Sequence, residues 1–141
     1  MSYVPIPFYG NDVLTYPVAS AGITLTAGAA NVYGASADLV VTADIVAGGM
    51  AGDVIFESVT LRTPSAGQVG KIRLGHQTGA GAENWIVEVD FECATDAGFT
   101  FPISLLGRGG LIPVGADIIA GVKTVAGGTT ITASVGIMSA L

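Results

Sequence analysis

The chain has 141 residues, of which 50% are hydrophobic and only 11% charged, and its formal net charge is −6 at pH 7. This length supports one domain with a single core. Five basic residues against eleven acidic ones argue against nucleic-acid binding, which needs clustered Lys and Arg on phosphates. A single cysteine excludes an intrachain disulfide and a zinc site built on cysteines.

The surface of this subunit is poor in charge, because an average soluble domain carries about 25% charged residues. Exposed apolar surface usually marks an interface, so we expect the chain to associate with itself. A membrane protein is the alternative. The uncharged stretches 13–37 and 124–141 are interrupted by Gly, Ser, Thr or Pro and contain no apolar run of about 20 residues, so no membrane span is predicted.

Residues 1–18 hold three of the six prolines and three of the four tyrosines. Pro5 and Pro7 remove backbone donors and favour extended neighbours, which predicts an extended N-terminal arm before a single β domain over residues 19–141. The arm either straps a neighbouring subunit or folds back on its own domain. Its large side chains are the candidate subunit or lattice contacts: Tyr3, Ile6, Phe8, Tyr9 and Tyr16. The first residues lack the basic and apolar regions of a secretory signal, so none is expected.

Apolar and polar residues alternate along much of the remaining chain, which is the period of a half-buried strand. The alternation predicts a short strand over 23–26 and a longer strand over 37–46. The apolar face of the longer strand comprises Leu39, Val41, Ala43 and Ile45. Between Val54 and Arg62 the alternation changes phase, which predicts either a bulge near Glu57 or a strand covered on both faces.

Two strands around the Gly-rich loop 75–82 have the clearest pattern. Lys71 and Arg73 share one face of the first strand, and Ile72 and Leu74 share the other. The second strand has an apolar row on one face: Trp85, Val87, Val89 and Phe91. Its other face carries three carboxylates: Glu88, Asp90 and Glu92. Pairing of the strands would place the basic residues beside the carboxylates, and each such cross-strand pair contributes about 0.2–1 kcal/mol.

The C-terminal part predicts two further strands. Their apolar faces comprise Ile118, Ala120 and Val122 in the first and Ile131, Ala133, Val135 and Ile137 in the second. Gly127 and Gly128 are expected to join them as a hairpin, which needs a second layer over its apolar face. Nine or ten short strands, separated by turn residues and without a convincing helix, predict an all-β antiparallel β-sandwich, of which the jelly-roll is one form.

The three carboxylates Glu88, Asp90 and Glu92 are the one acidic cluster on a single strand face. Their oxygens could bind a hard cation, or two of them could serve as glycosidase carboxylates. A solvated or salt-bridged strand face is the simpler interpretation, because Lys71 and Arg73 are available as partners. We therefore predict no catalytic, cofactor or metal site on this face.

Three other residues have a chemical and a structural interpretation. Cys93 and His76 form a nucleophile–base pair only if the fold brings them together, and otherwise Cys93 is a small buried residue. Trp85 is either a core residue, by its phase in the apolar row, or a sugar-stacking platform. The loop 75–82 lacks the Gly-Lys-Ser/Thr of a phosphate loop and precedes a strand, so it is predicted to be a hairpin loop.

Several segments follow one another in a recognisable order: Asn-Val-Tyr-Gly (31–34), Glu-Ser-Val-Thr-Leu-Arg-Thr (57–63), Lys-Ile-Arg-Leu-Gly (71–75), Thr-Gly-Ala-Gly-Ala-Glu (78–83), Phe-Pro-Ile (101–103), Leu-Ile-Pro-Val-Gly-Ala-Asp-Ile (111–118) and Gly-Gly-Thr-Thr-Ile-Thr-Ala-Ser-Val (127–135). In this order of strands and turns, which spans most of residues 31–137, the chain resembles small β-sandwich virion proteins of tailed bacteriophages. Such proteins decorate heads or belong to tail and fibre assemblies.

The resemblance implies a homotrimer or larger ring that binds the major capsid protein or other virion proteins, in a virion assembled in the host cytoplasm. The expected function is a non-enzymatic capsid decoration or cement protein. The alternatives are a receptor- or carbohydrate-binding module of a tail or fibre, another capsid or tail subunit, and a small hydrolase that uses the row from Glu88 to Glu92.

Overall fold

A computed structural model describes residues 13–17, 22–50, 52–95, 99–106 and 108–140. Tyr3, Ile6, Phe8 and Tyr9 of the predicted arm lie outside these ranges. The described residues form the elements β1 Leu14–Tyr16, β2 Ile23–Thr26, β3 Ala37–Val40, α1 Thr42–Ala47, β4 Val54–Arg62, β5 Gln68–Gln77, β6 Asn84–Cys93, β7 Thr100–Ser104, β8 Asp117–Thr124 and β9 Thr130–Ser139.

The strands form two antiparallel sheets that pack as a sandwich, which confirms the predicted fold class. In sheet A, β9 is central: it pairs with β4 on one side and with both β1 and β2 on the other, and β7 pairs with β4. Sheet B has the order β3-β8-β5-β6. No helix in the described part of the chain is both long and apolar enough to cross a membrane.

The strand pairs are nested along the sequence. The hairpin β5–β6 is innermost, the pair β4–β7 encloses it, the pair β3–β8 encloses both, and the strands β1 and β2 pair with β9 outside all of them. Successive pairs alternate between the two sheets. Every connection other than β1–β2 and β5–β6 therefore crosses from one sheet to the other.

Both sheets contribute apolar side chains to one core. The predicted apolar face of β9 is confirmed, because Ile131, Ala133, Val135 and Ile137 are each at most 1% exposed. The same core contains Phe56 and Leu61 of sheet A and, from sheet B, Ile72, Leu74 and Ile118. Burying a large apolar side chain contributes about 1.5–3 kcal/mol relative to leaving it in water, so this double layer supplies the cover that the C-terminal strands need.

The change of phase in β4 comes from a bulge, one of the two predicted causes. The register of β4 against β9 shifts between Phe56 and Ser58, which leaves Glu57 as the extra residue. Phe56 before the bulge and Val59 after it are therefore both buried. An inserted residue moves all later side chains to the opposite face, and here it keeps both halves of the strand facing the core.

The predicted strand over 37–46 is wrong in its second half. The strand β3 ends at Val40, and Thr42–Ala47 forms the helix α1. The side chain of Asp117 accepts hydrogen bonds from the Thr42 backbone N–H (2.7 Å) and hydroxyl (3.1 Å), which satisfies one of the free donors at the start of a helix. Ile45 is the buried residue of this helix. The predicted strand and the observed helix both bury Ile45, so its apolar character does not distinguish a strand from a helix.

The predicted C-terminal hairpin is also wrong, because β8 belongs to sheet B and β9 to sheet A. The connection at Gly127 and Gly128 carries the chain from one sheet to the other. Both glycines have positive φ, 77° and 69°, in the left-handed region that glycine adopts without strain. A Gly-Gly pair provides such a turn whether the next strand is a neighbour in the same sheet or lies in the opposite layer.

Candidate functional site

Two parts of the surface carry features that sequence patterns alone do not explain. The first is the outer face of sheet B. The β5–β6 register pairs Lys71 with Asp90 and Arg73 with Glu88, as predicted. The Lys71 ammonium lies 2.9 Å from an Asp90 carboxylate oxygen and 3.7 Å from one of Glu88. Because these side chains are at least 42% exposed, the ion pairs contribute little to stability.

Arg73 lies between two aromatic rings on this face. Its guanidinium carbon is 4.1 Å from the centre of the Tyr33 ring and 3.9 Å from that of the Trp85 ring. Such stacking is favourable because the negative ring face attracts the cation. The stack covers Gly121 of β8, where an added Cβ would lie 3.4 Å from Arg73 Nε and 3.7 Å from Tyr33.

The predicted core position of Trp85 is wrong. The register of β5 against β6 shifts between Leu74 and Gly75, so that Trp85 pairs with Gly75 and Ile86 is the extra residue. Ile86 packs against the core, and Trp85 lies with Arg73 on the outer face. An open depression of about 370 Å³ adjoins the ring, lined by Arg73, Trp85, Ile86, Val87 and Glu88.

Tyr33 connects the aromatic stack to the carboxylates. Its hydroxyl donates a 2.5 Å hydrogen bond to Glu88, and this bond lowers the pKa of Glu88. Burial, together with the same bond, raises the pKa of Tyr33 above its ordinary value. The hydrogen bond to Asp90 raises the pKa of Lys71. These pKa shifts keep Tyr33 neutral, Glu88 negatively charged and Lys71 positively charged at neutral pH.

This acidic face has an arrangement suited to ion pairing. Glu88 and Glu92 are four residues apart on one strand, about 13 Å, whereas glycosidase carboxylates lie about 5–9.5 Å apart. Glu88 and Asp90 are nearer to each other, but both contact the Lys71 ammonium. No group of three His, Cys, Asp or Glu side chains suited to a metal ion occurs among the residues that the structure describes.

His76 and Cys93 do not form a dyad. Cys93 pairs with Gln68, and His76 lies eight residues further along the same strand β5, about 26 Å away. Cys93 is 5% exposed, in agreement with its interpretation as a small buried residue. Burial also raises the pKa of its thiol, which lowers the fraction of the nucleophilic thiolate at neutral pH.

The second part is the end of the sandwich that carries the helix α1, where six large apolar side chains are 40–61% exposed. These side chains, here called the helix-end surface, are Val13, Val41, Val46, Leu106, Leu111 and Val114. They share one end because β3 ends there, β4 begins there, and β7 runs into the connection 105–116 beside them. Large exposed apolar patches often belong to protein–protein interfaces, so the helix-end surface is a candidate interaction site.

Polar and backbone contacts hold the loops of this end in place. Ile112 and Val54 exchange backbone hydrogen bonds of 2.8 and 3.1 Å. The Asp53 carboxylate accepts a 3.1 Å hydrogen bond from the Val114 N–H. These contacts hold the backbone beside Leu111 and Val114, whose apolar side chains are about half exposed. The sequence pattern does not predict this surface, although the apolar residues of the connection 105–116 contribute three of its side chains, Leu106, Leu111 and Val114.

Tyr16 is the one predicted arm contact that the structure describes. It belongs to β1, is 3% exposed and donates a 3.0 Å hydrogen bond to the backbone carbonyl of Asp44 in α1. Tyr16 thus joins sheet A to the helix within its own domain. The other four predicted contacts, Tyr3, Ile6, Phe8 and Tyr9, lie outside the described residues.

No protein-family model and no curated protein matches this sequence. The structure is similar to chains of infectious bursal disease virus: the Gt strain at 11% identity and a TM-score of 0.40, and the Gx strain at 12% and 0.43. This chain, 92% of which is covered, spans one third (33%) of each of those chains.

A third similar structure is the virus-like particle of extra small virus from the giant freshwater prawn Macrobrachium rosenbergii. It has 15% identity and a TM-score of 0.32, and the match covers all of this chain and 87% of that one. All three likenesses are distant. The three structures come from eukaryotic viruses, whereas the sequence resemblance was to proteins of tailed bacteriophages.

Proposed function

We propose that the chain is a non-enzymatic virion structural protein, a homo-oligomeric decoration or cement subunit that stabilises a phage head. The observation that carries this proposal is the helix-end surface. It joins six exposed apolar side chains on a molecule with only 11% charged residues. Such a surface favours burial against other protein subunits, which is how a cement subunit holds its lattice together.

We also propose that the sandwich is a jelly-roll. If β1 and β2 are counted as one strand, the described residues form eight strands in two four-stranded sheets, with the nested pairing given above. Double-sheet folds of this kind close by wrapping nested pairs around one core, and they occur in viral capsid proteins. The fold alone does not define a function, so the functional proposal depends on the exposed surface.

The proposed partners are further copies of this chain, in a trimer or larger ring, and the major capsid protein or other virion proteins. Tyr3, Ile6, Phe8 and Tyr9 are proposed as contacts of the N-terminal arm. The location that follows is the virion, assembled in the host cytoplasm.

The test measures binding of the purified protein to phage heads that lack it, together with its native mass by light scattering. We expect a discrete oligomer larger than the 14.0 kDa chain and saturable binding to heads. Deletion of residues 2–12 should weaken head binding, while circular dichroism shows that the domain stays folded. A wild-type monomer that does not bind heads would refute the proposed function.

A receptor- or carbohydrate-binding module of a tail or fibre is the second candidate, and the position of Trp85 favours it. The ring lies on the outer face of sheet B beside an open depression with Glu88, and aromatic rings next to polar groups are suited to stacking against sugars. A glycan array with wild type and Trp85→Ala distinguishes the two functions. Binding that is lost in the variant would favour the carbohydrate module.

A further inference from the structure

We infer that residues 1–12 of one copy bind the helix-end surface of a neighbouring copy. This inference rests on the proposed self-assembly and names the surface and the segment that carry it. The surface presents side chains such as Val46 (59% exposed) and Val114 (61% exposed). The segment is apolar as well: it contains large side chains and one charged residue, Asp12.

The position of the chain's entry into the domain supports this assignment. Leu14 pairs with Ile137, and Tyr16 pairs with Val135, so β1 runs away from the end at which Ser139 pairs with Val54. Residues 1–12 are thus attached at the end that carries the helix-end surface. Twelve residues reach at most about 40 Å, which is enough to cross the end of an adjacent copy.

The side chains of residues 1–12 are better suited to binding an apolar surface than to pairing with a sheet edge. Pro5 and Pro7 have no N–H and cannot donate to a strand ladder. Binding must therefore depend mainly on side chains, and Ile6 and Phe8 alternate with the prolines. An exposed apolar end offers the matching contacts, whereas the outer face of sheet B is occupied by charged groups.

A neighbouring copy is the favoured occupant because every copy brings both the segment and the surface. Two such copies can exchange segments reciprocally, and a ring can pass each segment to the next copy; both are closed assemblies. Exchange between copies also explains the scarcity of charge, since it buries apolar surface between subunits. Binding of the segment to its own domain would create no such contact.

Disulfide trapping between full-length chains tests the inference. Chains carrying Phe8→Cys are mixed with chains carrying Val114→Cys and oxidised, so that a mixed dimer reports contact between copies. Val125→Cys is the matched control, because Val125 has similar exposure (54%) but follows β8 at the opposite end. Wild type gives the background of Cys93, which is buried.

We expect the mixed dimer with Val114→Cys to form severalfold faster than with Val125→Cys. Equal rates would overturn the inference. So would a disulfide that forms only within single chains of the double variant Phe8→Cys/Val114→Cys, since the segment would then bind its own domain.

Native mass separates this inference from the proposed function. The variant Val46→Asp/Val114→Asp should fall to the mass of one chain, 14.0 kDa, whereas Val69→Asp/Val125→Asp, changed at the opposite end, should keep the wild-type mass. Circular dichroism checks that both variants are folded. An oligomer that survives Val46→Asp/Val114→Asp refutes the inference and leaves the proposed function standing, whereas a monomeric wild type refutes both.

Discussion

At the scale of single residues, Arg73 shows how a charged side chain can be packed and still face outward. Its guanidinium is stacked between Tyr33 and Trp85, and its Nε atom is buried without a hydrogen-bond partner in the described structure. The main contacts of the planar guanidinium are therefore those that its two faces make with the Tyr33 and Trp85 rings. A lysine keeps the charge but not the plane, so the two residues are not equivalent at a stacked site.

Replacement of Arg73 by Lys should lower the free energy of unfolding by about 1–2 kcal/mol, because cation–π contacts contribute about 0.5–1 kcal/mol each and more when desolvated. Urea unfolding measures the change, and Trp85, the single tryptophan, reports the altered environment by its fluorescence. The exposed Arg108→Lys serves as control and should stay within about 0.5 kcal/mol of wild type. Equal losses in both variants would contradict the role of the stack.

The hydrogen bond from Tyr33 to Glu88 predicts a pH-dependent contribution. The bond lowers the folded-state pKa of Glu88, so its stabilisation is complete above the unfolded value of about 4.3 and is lost as the pH falls through the folded pKa. Tyr33→Phe should cost about 0.5–1 kcal/mol at pH 7, since Glu88 is half exposed. Urea unfolding at pH 7 and pH 3 should show a smaller cost at pH 3; a cost that is equal or greater there would contradict this linkage.

At the scale of elements, the connection between β8 and β9 is a corner between sheets, and its two glycines have different surroundings. An added Cβ at Gly127 would lie 2.7 Å from the backbone of Ala29 and Ala30, whereas one at Gly128 would meet nothing within 4 Å. The neighbouring loop of residues 27–34 thus packs directly on the first glycine. The corner depends on this close approach as well as on its backbone angles.

Gly128→Ala should cost about 1–2 kcal/mol, the price of a left-handed conformation for a residue with a Cβ. Gly127→Ala carries the same cost and a backbone clash besides, so it should lose at least about 1 kcal/mol more. Thermal or urea unfolding of the two variants measures the difference. Equal losses of stability in the two variants would show that the loop of residues 27–34 moves away from the added Cβ at no cost in free energy.

The alternation of apolar and polar residues predicts part of the strand arrangement. Alternation identifies most strands and the β5–β6 register, because the period of two is set by the backbone itself. It fails at Trp85, since the extra residue Ile86 moves the ring to the other face, and at β8–β9, since glycines specify a turn and not its destination. The helix-end surface was missed because side-chain exposure in a connection depends on tertiary packing.

At the scale of the whole molecule, apolar residues dominate the surface proposed for assembly. Contacts made by valine and leucine side chains do not depend on charge attraction, whereas interactions between exposed charges are screened by salt. We therefore expect subunit association that does not weaken as salt is added. The low content of charged residues and the exposed helix-end surface both lead to this expectation.

The native mass of the oligomer should stay constant or rise between about 0.1 M and about 1 M salt, over which the screening length falls from about 10 Å to about 3 Å. Light scattering at fixed protein concentration measures it. Dissociation at high salt would indicate that ion pairs hold the subunits together, and would point to the charged outer face of sheet B as the interface.

The central place of β9 in sheet A has a consequence for the time at which the fold can form. The strands β1, β2 and β4 all pair with β9, yet synthesis proceeds from the N-terminus, so each of them leaves the ribosome before its partner exists. Their apolar faces therefore stay exposed to water, or bound to a chaperone, until β9 has been synthesised. Such distant pairings also slow folding, so assembly-competent subunits form only after β9 has been synthesised.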